Sequence, residues 1–270
     1  MSKITPLPHR GVLELSGPDR VSFLNGLVSN DVTKAGPGRA VWAALLTPQG
    51  KYLIDFFILS DGERLLLDVP REAIPALMQK LRRYKLRAAV EMKDLSDELM
   101  VYATWNGVPP QIPLTAADPR LHEAGYRCLS GDKVTANATP EDYAAHRIAL
   151  GLPDGPPDLE PDKTLLLEAG FDELGGVDWD KGCYMGQELT ARTKYRGLIK
   201  RRLLPVALEH PGVTAGTPIF ADGLEVGTIR SAAGRIALAT LRLDALNKPL
   251  SAADTELAPH PPSWLKQPEG

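Results

Sequence analysis

Lys181-Gly182-Cys183-Tyr184-Met185-Gly186-Gln187-Glu188 is the stretch on which the reading of this chain turns. Cys183 follows a glycine and precedes a run, from about Gln187 through Leu189, Thr190, Ala191 and Arg192, that is compatible with a helix. A sulfur near a helix N-terminus meets unpaired backbone N–H groups, and Lys181 adds a cation two residues away; both favour the thiolate. That chemistry suits a metal-ligating or nucleophilic cysteine, whereas the commoner fate of an intracellular free cysteine is to pack as a small buried hydrophobe. Spacing alone leaves the two readings open.

The remainder of the chain narrows the setting. With 270 residues, 43% of them hydrophobic, it can bury a substantial core, as one large domain or as two or three small ones. A formal net charge of −3 provides no global basic field for sequence-independent phosphate binding, so direct nucleic-acid binding is not expected. No apolar run is long enough to span a bilayer, which excludes a membrane-spanning helix. Met1 to Arg10 lack both the apolar core of a signal peptide and the pattern of an Arg-rich presequence, and the expectation is a cytoplasmic protein. The two cysteines, Cys128 and Cys183, are too few for a disulfide scaffold and have no C-x-x-C partner. Because an iron-sulfur cluster usually takes four protein ligands, this chain can complete a cluster shared with a partner but cannot hold one alone. His9, His122, His146, His210 and His260 are scattered without metal spacing and read as ordinary.

Along the chain, Val12 to Leu15 reads as a short strand, and Ser16-Gly17-Pro18-Asp19 supplies a cap and an early acid for a helix with Val21, Leu24, Leu27 and Val28 on its apolar face. Ala40 to Val69 reads as three strands, broken by the turns Thr47-Pro48-Gln49-Gly50 and Ser60-Asp61-Gly62-Glu63. Pro70 opens a second amphipathic helix with Ile74, Leu77, Leu81 and Tyr84 on one side; Ala88 to Met92 and Leu99 to Thr104 return as strands, an α+β layer resembling half a ferredoxin-like unit. Asn106 to Pro119 reads as a loop, Thr139-Pro140-Glu141-Asp142 starts a helix that Gly151 ends, and Pro153 to Asp162 is an acidic, proline-rich loop. Beyond Arg202, Leu203 to Leu208, Pro218 to Phe220, Glu225 to Ile229 and Ile236 to Leu241 are short strands at the spacing of a small β-barrel. Pro259 to Gly270 reads as a loosely held tail.

K-G-C-[FY]-x-G-Q-E followed by A-R is the signature of the YgfZ branch of the YgfZ/GcvT family. The chain matches it at every specified position from Lys181 to Glu188 and again at Ala191-Arg192. Leu15 to Val32 resembles the family's first strand and helix with its F-L-x-G-L-x-x-N-D-V run, Val41 to Phe57 resembles the hairpin that follows, and Leu174-Gly175-Gly176-Val177 fits upstream of the signature. The resemblance implies an α+β fold, a ring of three small domains around a central folate channel: two α+β ferredoxin-like layers and a C-terminal β-barrel. Its implied boundaries are 1–40 with 135–200 for a discontinuous first domain, 41–134 for the second, 201–262 for the barrel and 263–270 for the tail. The implied function is that of a tetrahydrofolate-binding factor for assembly or repair of iron-sulfur clusters in client enzymes, tRNA-modifying ones included. Its partners would be iron-sulfur carrier or client proteins. Cys183 would be the reactive thiolate or shared cluster ligand, with Lys181 beside it. The alternative within the family is a folate-dependent aminomethyl transferase, and a weaker one is a thiol hydrolase built on Cys183.

For the folate site the candidates are Tyr184, Gln187, Glu188 and Arg192 of the signature, Gln187 and Glu188 serving otherwise to orient the loop or only to cap the helix. Asp55 joins them, set by the resemblance near the pterin-contacting carboxylate of the glycine-cleavage aminomethyltransferase. Asp55 read alone could equally be an outward residue on an alternating strand. Where the YgfZ branch sandwiches folate between tryptophans, this chain has Tyr143 and Arg10, either of which can stack. Lys194, Arg196, Lys200, Arg201 and Arg202 form a basic run suited to the glutamate tail of folate or an acidic partner, or to nothing beyond a solvated face. Trp179 reads as a core residue or as a wall of the pocket.

Overall fold

The structure is a computed structural model that describes residues 2–197 and 199–266. By its contacts the chain falls into two compact units: Met1–Leu46, Ile54–Pro140 and Gly175–Met185 form one, and Thr47–Leu53, Glu141–Leu174 and Gly186–Gly270 the other.

The first unit is built on two antiparallel sheets. Strands β1 (Lys3–Pro6) and β2 (Arg10–Ser16) lead to helix α1 (Arg20–Asn25), after which come β3 (Val41–Leu46), β4 (Tyr52–Ser60) and β5 (Leu65–Pro70). Helix α2 (Ile74–Lys85) and strands β6 (Glu91–Asp94), β7 (Met100–Trp105), β8 (Leu114–Ala117) and β9 (Tyr126–Ser130) complete it. One sheet runs β3-β4-β5-β2-β6 and the other β1-β7-β9-β8. The expected meander and both expected helices are present. Helix α1 is shorter than its apolar spacing predicts, because Val28 leaves the helix to bridge Leu45 of β3. Asp19 does not cap α1; its carboxylate accepts a hydrogen bond from the Ala89 backbone N–H at 2.8 Å. Ile74, Leu77 and Leu81 are buried as the helical period requires, but Tyr84, one turn further on, is 36% exposed.

Residues 106–119 are not all loop. Leu114 to Ala117 pair with β9 in the register Leu114↔Leu129 to Ala117↔Tyr126, so a four-residue strand is fixed by its partner rather than by a sequence period of its own. β1 is missed for the same reason: it is an edge strand held by β7, with Ile4↔Thr104.

The second unit carries helices α3 (Pro140–Ala149) and α4 (Gln187–Tyr195) and six strands: β10 (Arg201–Leu208), β11 (Pro218–Ala221), β12 (Leu224–Ala233), β13 (Ile236–Arg242), β14 (Leu250–Ala252) and β15 (Thr255–Pro259). The strands close as β10-β13-β12-β11-β14-β15, the barrel read from the sequence with two further short strands. Leu204, Val206, Ile229, Ala239 and Leu241 fill it, and Gly227 is small because a Cβ there would lie 2.3 Å from the Thr240 carbonyl oxygen. The segment after β15 is not loose: Trp264 packs on the barrel core and its indole N–H donates to the Leu150 carbonyl at 2.8 Å, while Leu265 is buried. Residues 267–270 of the expected tail lie outside the described residues.

The acidic 153–162 loop is ordered by Asp158, which accepts from Arg147 Nη1 at 2.6 Å, Asp154 N at 2.9 Å and Ser231 Oγ at 2.5 Å. Gly50, at the β3–β4 turn, has φ +82°, and a Cβ there would stand 2.6 Å from both the Gly186 carbonyl oxygen and Leu189 Cβ. The turn therefore closes against the start of α4 at a distance only glycine permits.

Candidate functional site: the Cys183 loop

The stretch from Gly175 to Met185 is stitched onto the chain leaving α1 by both side-chain and backbone hydrogen bonds. Ser29 Oγ donates to Gly176 O at 2.6 Å, Asn30 Nδ2 donates to Gly175 O at 2.7 Å and to Trp42 O at 2.8 Å, and Asp178 N donates to Ser29 O at 3.0 Å. Met185 N closes the far end on Gly26 O at 3.3 Å. Asp178 then forms an Asx turn, accepting from the backbone N–H groups of Asp180 at 2.9 Å and Lys181 at 3.0 Å, while its second oxygen pairs with Lys34. Burial pushes the Asp178 carboxyl up, but the Lys34 bond and the two N–H donors outweigh it and hold it below the usual carboxylate range.

Lys181 is the keystone of this arrangement. Its ammonium donates to the carbonyls of Asn25, Val28 and Asn30 at 2.6, 2.7 and 2.8 Å, which uses all three protons. It also lies 5.2 Å from the centre of the Tyr184 ring. Burial lowers its pKa to about 8, against the opposing charges of Asp31 and Asp178. Lys181 therefore acts as a positioning residue that clamps the loop, rather than as a group reserved for the thiol.

Cys183 itself is exposed, whereas Cys128 in β9 is fully buried and burial pushes its thiol up. Of the two cysteines, only Cys183 can meet a partner or a metal. Helix α4 does begin at Gln187, but its N-cap is Gly186 in a left-handed conformation, and no side chain caps it. Cys183 thus stands in the loop, outside the helix. Trp179 and Asp180 line a hollow of about 520 Å³ together with Asn30, Lys34, Arg39 and Val41. Trp179 is half-buried and borders this hollow.

Four expected folate contacts, Arg10, Asp55, Tyr143 and Tyr184, are buried. Arg10, 2% exposed, donates to Asp68 Oδ1 at 2.6 Å and to Asp68 O at 2.7 Å, inside a buried cluster with Arg127, Arg120 and Asp118. Its guanidinium faces Phe57 at 6.0 Å, in company with Arg120 at 4.7 Å and Arg127 at 4.3 Å. Asp55, 1% exposed, accepts the Trp42 indole N–H at 2.9 Å; it is an inward residue of β4, not an outward one. Tyr143 of α3 is 2% exposed. Cys183, Lys181 and Tyr184 belong to the first unit, and Gln187, Glu188 and Arg192 to the second, where Glu188 and Arg192 are exposed on α4.

The basic run divides too: Arg202 is buried against Glu173 at 2.7 Å and Lys194 pairs with Asp172, leaving Arg196, Lys200 and Arg201 exposed. Sequence reasoning missed Glu168. Its carboxyl is pushed up by burial, against the charges of Arg201 and Lys51, and it lines a hollow of about 150 Å³ with Thr164, Arg201 and Arg230. A carboxyl of raised pKa in a hollow is the signal that would find it, and that signal exists only in three dimensions.

Residues 200–267 match the model of the CAF17 C-terminal beta-barrel domain. A mitochondrial iron-sulfur cluster assembly factor IBA57 homolog of Mycosarcoma maydis is 38% identical over 80% of this chain, which spans 59% of that relative. The mitochondrial iron-sulfur cluster assembly factor IBA57 of Mus musculus is 34% identical over 93% of this chain and 80% of its own length. The glycine cleavage system aminomethyltransferase T of Bartonella henselae superposes with a TM-score of 0.75 over 98% of this chain and 86% of its own, at 15% identity, which establishes the GcvT-like fold with its C-terminal barrel. The expected cytoplasmic location is corrected by these relatives, both of which are named as mitochondrial. The composition of the first ten residues carried no information on compartment.

Proposed function

Since the chain belongs to the family of IBA57 iron-sulfur cluster assembly factors, we propose that it lends Cys183 as the single thiolate ligand of a cluster passed between partner proteins. The observation that carries this reading is the contrast between the two cysteines: one sealed in a sheet, the other exposed on a loop that Lys181 and Asp178 hold in one conformation. The cluster is cargo, and the protein's part is to present sulfur without the entropic cost of ordering a free loop. Cys183→Ser is expected to abolish a cluster held jointly with a cluster-carrier protein under anaerobic conditions, read by its visible absorption, while leaving the melting temperature unchanged. A serine variant that forms the joint cluster as wild type does would end the proposal.

A reduced folate belongs to the same reading, but not through Asp55, Arg10 or Tyr143, whose burial does not fit a ligand. Glu168 is the better partner for the paired N–H donors of a pterin ring. Its hollow is smaller than the roughly 300–1,000 Å³ that encloses a drug-sized ligand, so it would seat the ring and not the whole molecule. Tetrahydrofolate at a hundredfold excess over its Kd is expected to add about 2.7 kcal/mol of stability, and Glu168→Ala to remove most of that gain. A melting temperature flat across the titration would rule folate out as a ligand.

A further inference from the structure

The C-terminal end of α2 carries Lys80, Arg82, Arg83, Lys85 and, just beyond it, Arg87, in a chain whose overall charge is −3. Arg82, Arg83 and Arg87 are exposed, and none of the five makes an ion pair among the described residues. Cations at a helix C-terminus are favoured by the helix dipole, and that alone would explain a solvated tip. It does not explain Leu86. This leucine is 89% exposed, and it sits at φ +44°, a conformation that costs a side-chain-bearing residue of the order of 1–3 kcal/mol. Strain that holds an apolar side chain out in water, beside a partly exposed Tyr84, is the arrangement of an anchor awaiting a pocket.

The tip connects to Cys183 through α1. At one end of α1, Asp19 binds Ala89, two residues past Arg87; at the other, Gly26 O accepts Met185 N, two residues past Cys183. Helix α1 has six residues, so the ends are about 9 Å apart. Pro18 just before the helix, Ser22 within it and Gly26 at its C-cap are exposed, so solvent-exposed chain runs from the basic tip to the sulfur loop.

We infer that this exposed stretch is the docking face for an acidic protein that carries the cluster: its carboxylates meet the α2 cations, an apolar pocket takes Leu86, and its cluster comes within reach of Cys183. The inference rests on the proposed role of Cys183 and names the chemistry of the partner. A protein fits the face better than a polyanion does, since an aliphatic Leu86 neither pairs with phosphate nor stacks on a base.

The test uses the full chain and a [2Fe–2S]-loaded cluster-carrier protein of net negative charge, titrated anaerobically at low and moderate salt. Reversing three charges together (Arg82→Glu, Arg83→Glu, Lys85→Glu) should weaken binding by about tenfold or more at low salt and flatten its salt dependence. Leu86→Gly relieves the positive φ and should melt no lower than wild type, yet bind about fivefold more weakly; a purely structural leucine would show neither combination. Unchanged binding of the reversed variant, or no binding of the carrier by wild type, overturns the docking face. So does reversal-sensitive binding of single-stranded RNA or phosphatidylglycerol vesicles by a chain that ignores the carrier. If reversal leaves binding intact while Cys183→Ser loses the joint cluster, the docking face falls and the role of Cys183 stands. If reversal weakens docking while the serine variant still forms the cluster, the docking face stands and the role of Cys183 falls.

Discussion

Asp68→Ala is expected to be the most damaging single substitution outside the barrel, costing about 3–5 kcal/mol. Asp68 is fully buried, and the guanidiniums of Arg10 at 2.6 Å and Arg127 at 3.4 Å lean on its two oxygens. The faces of Phe57 and Trp42 and the Asp118–Arg120 pair, bonded at 2.7 and 2.9 Å, surround them. Burial pushes the Asp118 carboxyl up, but Arg120, with Arg127 beyond it, holds it below the usual range, so Asp118 already serves its own arginine and is not a spare anion. Alanine at position 68 would leave two arginines in a dry interior with one carboxylate fewer, and a buried cation cannot shed its charge at the guanidinium pKa. Against a total stability of about 5–15 kcal/mol, the loss should appear as a fall of roughly 10 °C in melting temperature, or as failure to accumulate folded protein. The double variant Arg10→Met/Asp68→Leu should recover part of the loss, because it removes charge in pairs. If Asp68→Ala unfolds within about 1 kcal/mol of wild type in denaturant, the cluster is not what holds the two sheets of the first unit together.

This cluster shows where the sequence is legible and where it is not. Period and turn chemistry expose β3 to β5, α2, α3 and the barrel, because in each the apolar residues repeat at the spacing of the element and Gly or Pro marks its end. Arg10, Asp55 and Tyr143 entered as folate contacts through the resemblance alone, which says nothing of burial, and the partners of Arg10 and Asp55 lie on other strands. Arg10 meets Asp68 across 58 residues, and Asp55 meets Trp42 across the β3–β4 hairpin. The signature segment is the opposite case. Its loop could be singled out as the candidate site from Cys183 and its glycines, yet the reason for its lysine was not readable, since the groups Lys181 binds are backbone carbonyls more than 150 residues away that leave no mark on the side-chain pattern. Asn30 was legible as a motif residue and silent as a structural one, and Asp178, between the 174–177 stretch and the signature, was silent altogether. One is the hinge pin between the two motif stretches, and the other turns the chain so that Lys181 points back at α1.

Lys181→Met tests that clamp. Methionine keeps the stem and the contact with Tyr184 but returns three carbonyl oxygens, two of them on buried residues, to an environment with no donor. Each unsatisfied acceptor costs about 1–3 kcal/mol when water cannot replace the donor; Lys181 is only half-buried, so a total near 2–4 kcal/mol is expected, with a melting temperature lower by about 5–10 °C. The pH dependence has a definite sign. An unfolded lysine keeps its proton to about 10.5, whereas burial lets the folded Lys181 release it near a pKa of about 8. The unfolded state therefore binds more protons through that window, so the contribution of Lys181 to stability is least below pH 8 and grows as the pH rises towards 10.5. The stability gap between wild type and Lys181→Met should accordingly widen from pH 7 to pH 10 in paired denaturant titrations, with the other titrations cancelling in the difference. Alkylation of Cys183 should be faster in the variant at pH 7 as the loop gains conformers, even though its sulfur is exposed in both. A gap that narrows with pH would mean that the three carbonyl bonds, and not burial, set the proton affinity of this lysine; equal stability at every pH would mean the loop does not depend on it.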